Sequence, residues 1–151
     1  CEIAMAADIR IMSETGRIGL PEINLGVFPG SGGLYRLARY VGISRAYELL
    51  YTGRIMDAGE ALEIGLVNHL APAGETKKAA LELAGVIAEK PVEAIRLIKK
   101  GVRELWQKTT AENFRPNLEF SRRVFQTADC AEGVDAFIHK RTPEFGKGGR
   151  L

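Results

Sequence analysis

Residues 21–33 read PEINLGVFPGSGG and separate a short alternating segment from the first long helical pattern of the chain. Four glycines and two prolines in this stretch indicate a loop with tight turns. Its one acid, Glu22, follows a proline, and a second acid, Glu2, lies 20 residues upstream. An acid after proline is ordinary turn chemistry, and an acid near a helix N-terminus is usually a capping or dipole residue. Position alone therefore does not decide whether either carboxylate is catalytic.

Short strands are predicted on both sides of this loop. Residues 9–13 alternate apolar and polar side chains, which is the period of a strand, and residues 16–22 form a second strand that Pro21 ends. Residues 66–70, LVNHL, predict a third strand. The sequence therefore predicts α/β structure for residues 1–72.

Helical patterns dominate after the loop. Ser44 is the predicted N-cap of a helix that Gly53 ends. The D-x-x-E spacing of a capping box predicts two further helix starts, at Asp57 with Glu60 and at Asp129 with Glu132.

The end of the chain reads as helix without strands. Residues 76–90 carry apolar residues at helical spacing, and Pro91 suits the first turn of the next helix. Pro116 should kink or split a helix over residues 110–127. Residues 73–151 are therefore predicted to be an all-helical region.

Composition argues against several classes of function. The 151 residues are 46% apolar with a net charge of +2 and no basic block, so nucleic acid is a poor candidate partner. Cys1 and Cys130 form no disulfide framework and favour reduced thiols in an intracellular, cytoplasmic protein. No apolar run approaches the roughly 18 residues that cross a bilayer, so no membrane partner is expected. The two histidines, His69 and His139, lie 70 residues apart and predict no metal site.

The first residues, CEIAMAA, start inside an apolar segment without an initiator Met and without the layout of a signal peptide. We expect the chain to be the C-terminal portion of a longer protein. Any targeting segment would then lie upstream of Cys1.

Five motifs follow one another along the chain: CEIAMAADIRI, GLPEINLGVFPGSGG, RLARYVG, TGRIMDAGEALEIGLVN and EGVDAFIHKRTPEF. In this order and with these gaps, they resemble the enoyl-CoA hydratase/isomerase family, the crotonase superfamily. The resemblance covers nearly the whole chain and implies a crotonase-like superhelix of ββα turns, of which residues 1–72 would be the C-terminal part. Residues 73–151 would be a helical region that builds a trimer, often a pair of trimers.

The resemblance implies roles for two acids and one glycine. Glu2 and Glu22 match the two glutamates that face the substrate double bond, so Glu2 would deprotonate the attacking water and Glu22 would exchange the proton on the α-carbon. Gly30 matches a backbone N–H that helps hold the water. The implied reaction is the reversible syn hydration of a trans-2-enoyl-CoA to a 3-hydroxyacyl-CoA in fatty-acid or related acyl-CoA degradation.

The chemistry of this reaction suits two carboxylates. Water addition to a conjugated thioester needs a base for the water and an acid for the α-carbon, and carboxyls in different protonation states can fill both roles. No metal or redox cofactor is implied, because the thioester itself is the electron sink. In the family, two backbone N–H groups stabilise the thioester oxygen, each typically worth about 3 kcal/mol. The matching residues are outside this chain, so we expect the chain alone to be inactive.

At the far end, the resemblance places Phe137 and Lys140 over the coenzyme A of a neighbouring subunit, where a lysine can meet phosphate. A solvated lysine at a helix end is an equally open interpretation. A homotrimer or homohexamer is also expected, because five apolar residues form extensive faces on the helical tail: Ile95, Ile98, Leu105, Phe120 and Phe125.

Two alternatives stay open. A double-bond isomerase of the same fold would use Glu22 alone, and a non-catalytic subunit would keep the fold for assembly only. The presence of both acids favours the hydratase. Leu34 and Tyr35 stand where the family usually has Thr-Gln, which leaves the shape of the acyl pocket open.

Overall fold

The structure is a computed structural model that describes residues 1–105 and 110–146. They form two compact units, Cys1–Glu82 and Leu83–Leu151. The described strands all lie in the first unit, and the last of them ends at Ala71. The division of the chain at residues 72 and 73 stays a prediction.

The first part of the chain alternates short helices and strands. In order these are α1 (Glu2–Ala6), β1 (Ile11–Ser13), β2 (Arg17–Gly19), a 3-10 helix (Pro21–Leu25), α2 (Gly33–Val41), α3 (Ile43–Thr52), β3 (Ile55–Asp57), α4 (Ala58–Glu63) and β4 (His69–Ala71). The described helices that follow are α5 (Thr76–Ala88), α6 (Val92–Leu105), α7 (Thr110–Phe125) and α8 (Ala128–Ile138).

Each strand pairs with one other. Strand β1 is parallel to β4, with Ile11 opposite His69. Strand β2 is antiparallel to β3, with Arg17 opposite Asp57. The three predicted strands are observed, but each is only three residues long.

The third strand begins later than predicted because Leu66 and Val67 belong to the core. Both side chains are buried, and both backbone N–H groups donate to the carbonyl of Ala61 at the end of α4, at 2.9 and 3.1 Å. These bonds leave Leu66 and Val67 unavailable to pair with β1. The core of the first unit is a cluster of buried apolar side chains: Met5, Leu20, Leu37, Ala46, Leu49, Met56, Ala61, Ile64, Leu66 and Val67.

The predicted caps of α3 and α4 had different outcomes. Asp57 is the N-cap of α4, and its side chain accepts a hydrogen bond from the Glu60 N–H at 2.9 Å, as predicted. The N-cap prediction for Ser44 is wrong, because Gly42 is the N-cap of α3. Gly42 has φ +81°, a conformation that L side chains rarely adopt, and its carbonyl accepts from the Ala46 N–H. Gly53 ends α3 in the left-handed conformation, as predicted.

The predicted capping box of Asp129 and Glu132 is also wrong. Thr127 is the N-cap of α8, and its hydroxyl accepts from the Cys130 N–H at 3.1 Å. The two acids instead bind the chain that returns after the helix. Asp129 accepts from the Gly146 N–H, and Glu132 accepts from the Glu144 N–H, both at 2.8 Å.

Helix α7 runs from Thr110 to Phe125 with Pro116 inside it, so Pro116 does not split the helix, and a kink at this residue stays a prediction. Proline removes one backbone N–H from the helix interior. The flanking turns nevertheless keep helical conformation, because α7 packs against both α6 and α8.

An ion-pair network on the surface of the first unit links α3 to α4. Both Nη atoms of Arg54 donate to the Glu60 carboxylate, at 2.8 and 2.5 Å, and Nη2 also reaches Glu48 at 2.8 Å. Bidentate pairs of this kind are stronger than single contacts. Because Arg54 hydrogen-bonds its carboxylate, the pKa of Glu60 lies below its usual value of 4.5.

We expect this pair to stabilise the fold above the usual pKa of Glu60 and to stop doing so in acid. The lowered pKa in the folded state means that the contribution is present above about pH 4.5 and is lost as the pH falls through the lower, folded-state pKa. Urea unfolding from about pH 6 to about pH 3 should therefore show a smaller acid-induced loss in Glu60→Gln than in the unaltered protein. Glu63→Gln, an exposed acid of the same helix, is the control. Equal pH profiles for all three proteins would contradict this expectation.

Candidate active site

Glu2 lies in the first turn of α1 and is half-buried. Its Oε1 atom accepts a hydrogen bond from the backbone N–H of Gly33 at 2.8 Å. Gly33 is the first residue of α2, where backbone N–H groups have no partner within the helix. The bond therefore holds the carboxylate at the N-terminus of α2 and leaves its second oxygen, Oε2, outside this contact.

The two adjacent glycines make this contact possible. A Cβ atom on Gly33 would lie 2.6 Å from the Cβ of Pro29 and 3.0 Å from the Oε1 of Glu2. Gly32 has φ +104°, and a Cβ there would overlap the guanidinium of Arg36. Gly32 and Gly33 therefore serve the tight turn into α2, in line with the turns that the glycines of this loop predict.

Glu22 lies at the other end of the same loop, in the 3-10 helix Pro21–Leu25, and is half-buried. Its carbonyl accepts from the Val27 N–H at 3.3 Å. Its side-chain Oε2 is buried and has no hydrogen-bond partner. Buried polar atoms without partners are rare in native proteins, and they call for an explanation such as a catalytic role.

Helix α3 holds the Glu22 segment in place. Gly53, at the C-terminal end of that helix, leaves room for the 3-10 helix, because a Cβ there would lie 2.7 Å from Ile23 Cγ2 and 3.0 Å from Asn24 Nδ2. The sequence indicated Gly53 only as the end of α3. Only the tertiary structure reveals its second role, which is close packing against the segment that carries Glu22.

The structure thus places Glu2 and Glu22 at opposite ends of residues 21–33. Gly30 lies within this loop and is exposed. No heavy atom lies within 4 Å of the position that a Cβ on Gly30 would take, and its φ is outside the left-handed range. Gly30 therefore borders open space, whereas Gly32 and Gly33 are buried.

Leu34 and Tyr35 extend outward from the first turn of α2, and both side chains are exposed. The guanidinium carbons of Arg36 and Arg39 lie 5.0 and 5.4 Å from the centre of the Tyr35 ring. Contacts of this kind are cation–π interactions and orient the ring on the surface of α2.

Phe137 and Lys140 lie in the second unit, at the end of α8, and both are exposed. Lys140 has φ +52°, which is unusual for a residue other than glycine. The Lys140 N–H donates to the carbonyl of Phe137, and the Arg141 N–H donates to that of Ala136. These two bonds form a Schellman motif, in which a glycine usually stands at the position of Lys140.

One residue at the C-terminal end of α1 was missed by sequence reasoning. Arg10 is only 7% exposed, although it stands between two isoleucines at the edge of an alternating segment. Its side chain contacts Tyr40 and the C-terminal end of α1. No spacing rule pairs Arg10 with Tyr40, which is 30 residues away.

Residues 1–105 and 110–146 contain no group of three or more His, Cys, Asp or Glu side chains that could hold a metal ion. No helix among them is both long enough and apolar enough to cross a membrane. Cys1 and Cys130 are free thiols.

The chain is similar to known proteins in sequence. The enoyl-CoA hydratase/isomerase family profile matches residues 1–148. A probable enoyl-CoA hydratase of Rhizobium meliloti is 44% identical over 149 residues, covering 96% of this chain and 56% of the relative. A short-chain-enoyl-CoA hydratase of Clostridium acetobutylicum is 39% identical over 144 residues, covering 95% of this chain and 55% of the relative.

A solved structure of similar sequence has the same fold. The crystal structure of an enoyl-CoA hydratase from Bacillus anthracis superposes with a TM-score of 0.89 at 38% identity, over 93% of this chain and 55% of that one. The chain thus spans about half the length of the relatives that it matches. With a crotonase-like α/β fold and a family match over residues 1–148, the chain belongs to the enoyl-CoA hydratase/isomerase family.

Proposed function

We propose that the whole protein catalyses the reversible syn addition of water to a trans-2-enoyl-CoA, forming a 3-hydroxyacyl-CoA. The observation that carries this proposal is the pair of different carboxyl environments at the two ends of residues 21–33. Glu2 is hydrogen-bonded to the Gly33 N–H, whereas Glu22 has a buried oxygen without a partner. Two acids with different surroundings suit a reaction that needs both a base and an acid.

Each acid has one step in the proposed mechanism. Glu2, oriented through Oε1, accepts a proton from the attacking water at its second oxygen, and the resulting hydroxide oxygen bonds to the β-carbon. Glu22 delivers a proton to the α-carbon through its buried oxygen. The thioester carbonyl takes up the electron pair in between, so the proposed reaction uses no metal or redox cofactor.

Coenzyme A contact is proposed for Phe137 and Lys140, across a boundary between subunits. Phe137 is 85% exposed, which is a large apolar surface to leave in water. Lys140 occupies a strained conformation where glycine would fit better, and strained residues cluster at ligand-binding sites. Both observations support a ligand-contacting role for the end of α8.

A homotrimer or homohexamer is proposed as the assembly. Of the five apolar residues expected to form its faces, Ile98 and Phe125 are 65% and 75% exposed. Ile95 and Phe120 are half-buried, and Leu105 falls outside the described side chains. The exposed apolar surface on α6 and α7 supports burial against another subunit.

Free thiols and a coenzyme A substrate support an intracellular, cytoplasmic location.

The acid pair is tested by Glu2→Gln and Glu22→Gln in the whole protein. Each change keeps the size of the side chain and removes a proton-transfer group, so each should lower kcat for hydration of crotonyl-CoA about 10²- to 10⁴-fold. The double variant should be far less than multiplicatively worse, because the two acids act as a unit. Glu14→Gln, an exposed acid in a turn, is the control. A near-normal rate in Glu2→Gln would instead favour an isomerase that uses Glu22 alone.

The open space at Gly30 gives a second prediction. Gly30→Ala adds a methyl group that meets no protein atom within 4 Å. The melting temperature should therefore stay unchanged, while the hydration rate should fall at least tenfold, because the methyl group takes space that water or substrate would use. Gly85→Ala, another site without neighbouring atoms, should leave the rate unchanged. Full activity in Gly30→Ala would mean that Gly30 is not part of the active site.

Lys140 is tested with Lys140→Asn rather than alanine, because asparagine tolerates the left-handed conformation. Loss of the charge should raise KM for acyl-CoA by up to about fivefold at low ionic strength and leave kcat nearly unchanged. The difference should shrink at high salt, which screens exposed charges. Lys140→Arg keeps the charge and should retain the original KM. An unaltered KM in Lys140→Asn would mean that Lys140 is a solvated surface residue without a role in binding coenzyme A.

A further inference from the structure

The helix that carries Glu2 is too short to be stable alone. Helix α1 has five residues, and isolated helices below about 12 residues are marginal in water. Its position therefore depends on contacts with the rest of the first unit. Besides the contact between Glu2 and Gly33, two side chains donate hydrogen bonds to backbone carbonyls at the C-terminal end of α1.

Tyr40 and Arg10 supply these contacts. The Tyr40 hydroxyl donates to the carbonyl of Met5 at 3.0 Å. The Nη1 atom of Arg10 donates to the carbonyl of Ala7, directly after the helix, at 2.8 Å. Carbonyls at the C-terminal end of a helix have no intrahelical donor and carry partial negative charge, so a cation and a hydroxyl both suit them.

Arg10 and Tyr40 also hold each other. The Arg10 guanidinium lies over the Tyr40 ring, with Cζ 3.9 Å from the ring centre. Its Nε donates to the carbonyl of Leu66 at 2.6 Å. A buried cation is costly unless its donors and charge are compensated. Two carbonyls and an aromatic face provide this compensation, so Arg10 has a defined orientation.

Helix α2 therefore binds both ends of α1. Gly33 at its start contacts the Glu2 carboxylate, and Tyr40, about two turns further along, contacts Met5. Met5 is also buried in the core of the first unit. A shift or rotation of α1 that breaks the Tyr40 contact would move Glu2 relative to the Gly33 N–H.

We propose that Arg10 and Tyr40 are positioning residues for Glu2. This Arg10–Tyr40 clamp holds α1 on α2, so that the Glu2 carboxylate stays against the Gly33 N–H and its other oxygen keeps one direction. The clamp deepens the proposed function, because it rests on Glu2 as the base. Neither clamp residue touches the substrate in this proposal.

The decisive variant is Tyr40→Phe, which removes one hydroxyl and keeps the ring under Arg10. In the whole protein it should lower kcat about three- to tenfold, the value of one hydrogen bond, with KM nearly unchanged. Tyr51→Phe, an exposed tyrosine on α3, is the matched control and should be silent. Arg10→Lys keeps the charge but cannot donate to the carbonyls of both Leu66 and Ala7 in the same geometry. It should therefore also lower kcat. Tyr40→Phe decides the result even where Arg10→Lys fails to fold.

Two readouts separate positioning from general loss of structure. First, Tyr40→Phe should have no further effect on kcat in a Glu2→Gln background, because its influence passes through that carboxylate. Second, the amide proton of Gly33, observed by NMR after selective ¹⁵N-glycine labelling, should shift in Tyr40→Phe and stay in place in Tyr51→Phe. That resonance reports the Glu2 hydrogen bond without any assay of activity.

The outcomes distinguish the clamp from the proposed function. An unmoved Gly33 resonance in Tyr40→Phe overturns the clamp. So does an equal loss of kcat in the Glu2→Gln background, which would mean that Tyr40 acts elsewhere. A shifted Gly33 resonance together with a fully active Glu2→Gln protein supports the clamp and overturns the catalytic role of Glu2.

Discussion

The hydrogen bond from the Gly33 N–H to the Glu2 carboxylate is the contact on which the local architecture depends. It joins the first turn of α1 to the first turn of α2, and hydrogen bonds to charged groups are worth about 1.5–3 kcal/mol. Residue 33 must be glycine, because a Cβ would strike both Pro29 and Glu2. Residue 32 must accept a positive φ to bring that N–H into place. The two glycines at positions 32 and 33 are therefore tied to this one contact.

The same loop gives the two acids different surroundings. Glu2 meets a backbone donor at a helix N-terminus, whereas the buried oxygen of Glu22 meets none. One carboxyl is thus held by a backbone donor, and the other has a buried oxygen that no described group hydrogen-bonds. Helix α3 packs against the 3-10 helix that carries Glu22, whereas α1, which carries Glu2, packs against α2. The proposed positioning residue Tyr40 lies outside the loop, because it contacts the C-terminal end of α1 rather than either acid.

In the second unit, the residues that hold the end of α8 in place are different from the residues that are exposed there. Asp129, Glu132 and Asp135 bind the chain that returns after the helix, chiefly through Arg141. Hydrogen bonds to Arg141 hold the pKa of Asp135 below its usual range. Phe137 and Lys140 take no part in these side-chain bonds and extend into solvent. The acids therefore stabilise the local structure, and the exposed pair lies outside this network of hydrogen bonds.

Sequence by itself predicted the family from five motifs that follow one another over nearly the whole chain, and with it the two candidate acids. It also predicted the cap at Asp57 and the glycine that ends α3, because each of these depends on residues close together in the chain. At the start of α3 it failed by two residues, because Gly42 rather than Ser44 is the N-cap and adopts a positive φ there. Elsewhere it failed where distant residues decide the outcome, since Asp129 and Glu132 bind a returning segment instead of capping α8. Arg10 is buried only because Tyr40 and the carbonyls of Ala7 and Leu66 surround it. Local patterns encode turns and helix starts, whereas the orientation of Glu2 arises from contacts between residues more than thirty positions apart, which only the tertiary structure brings together.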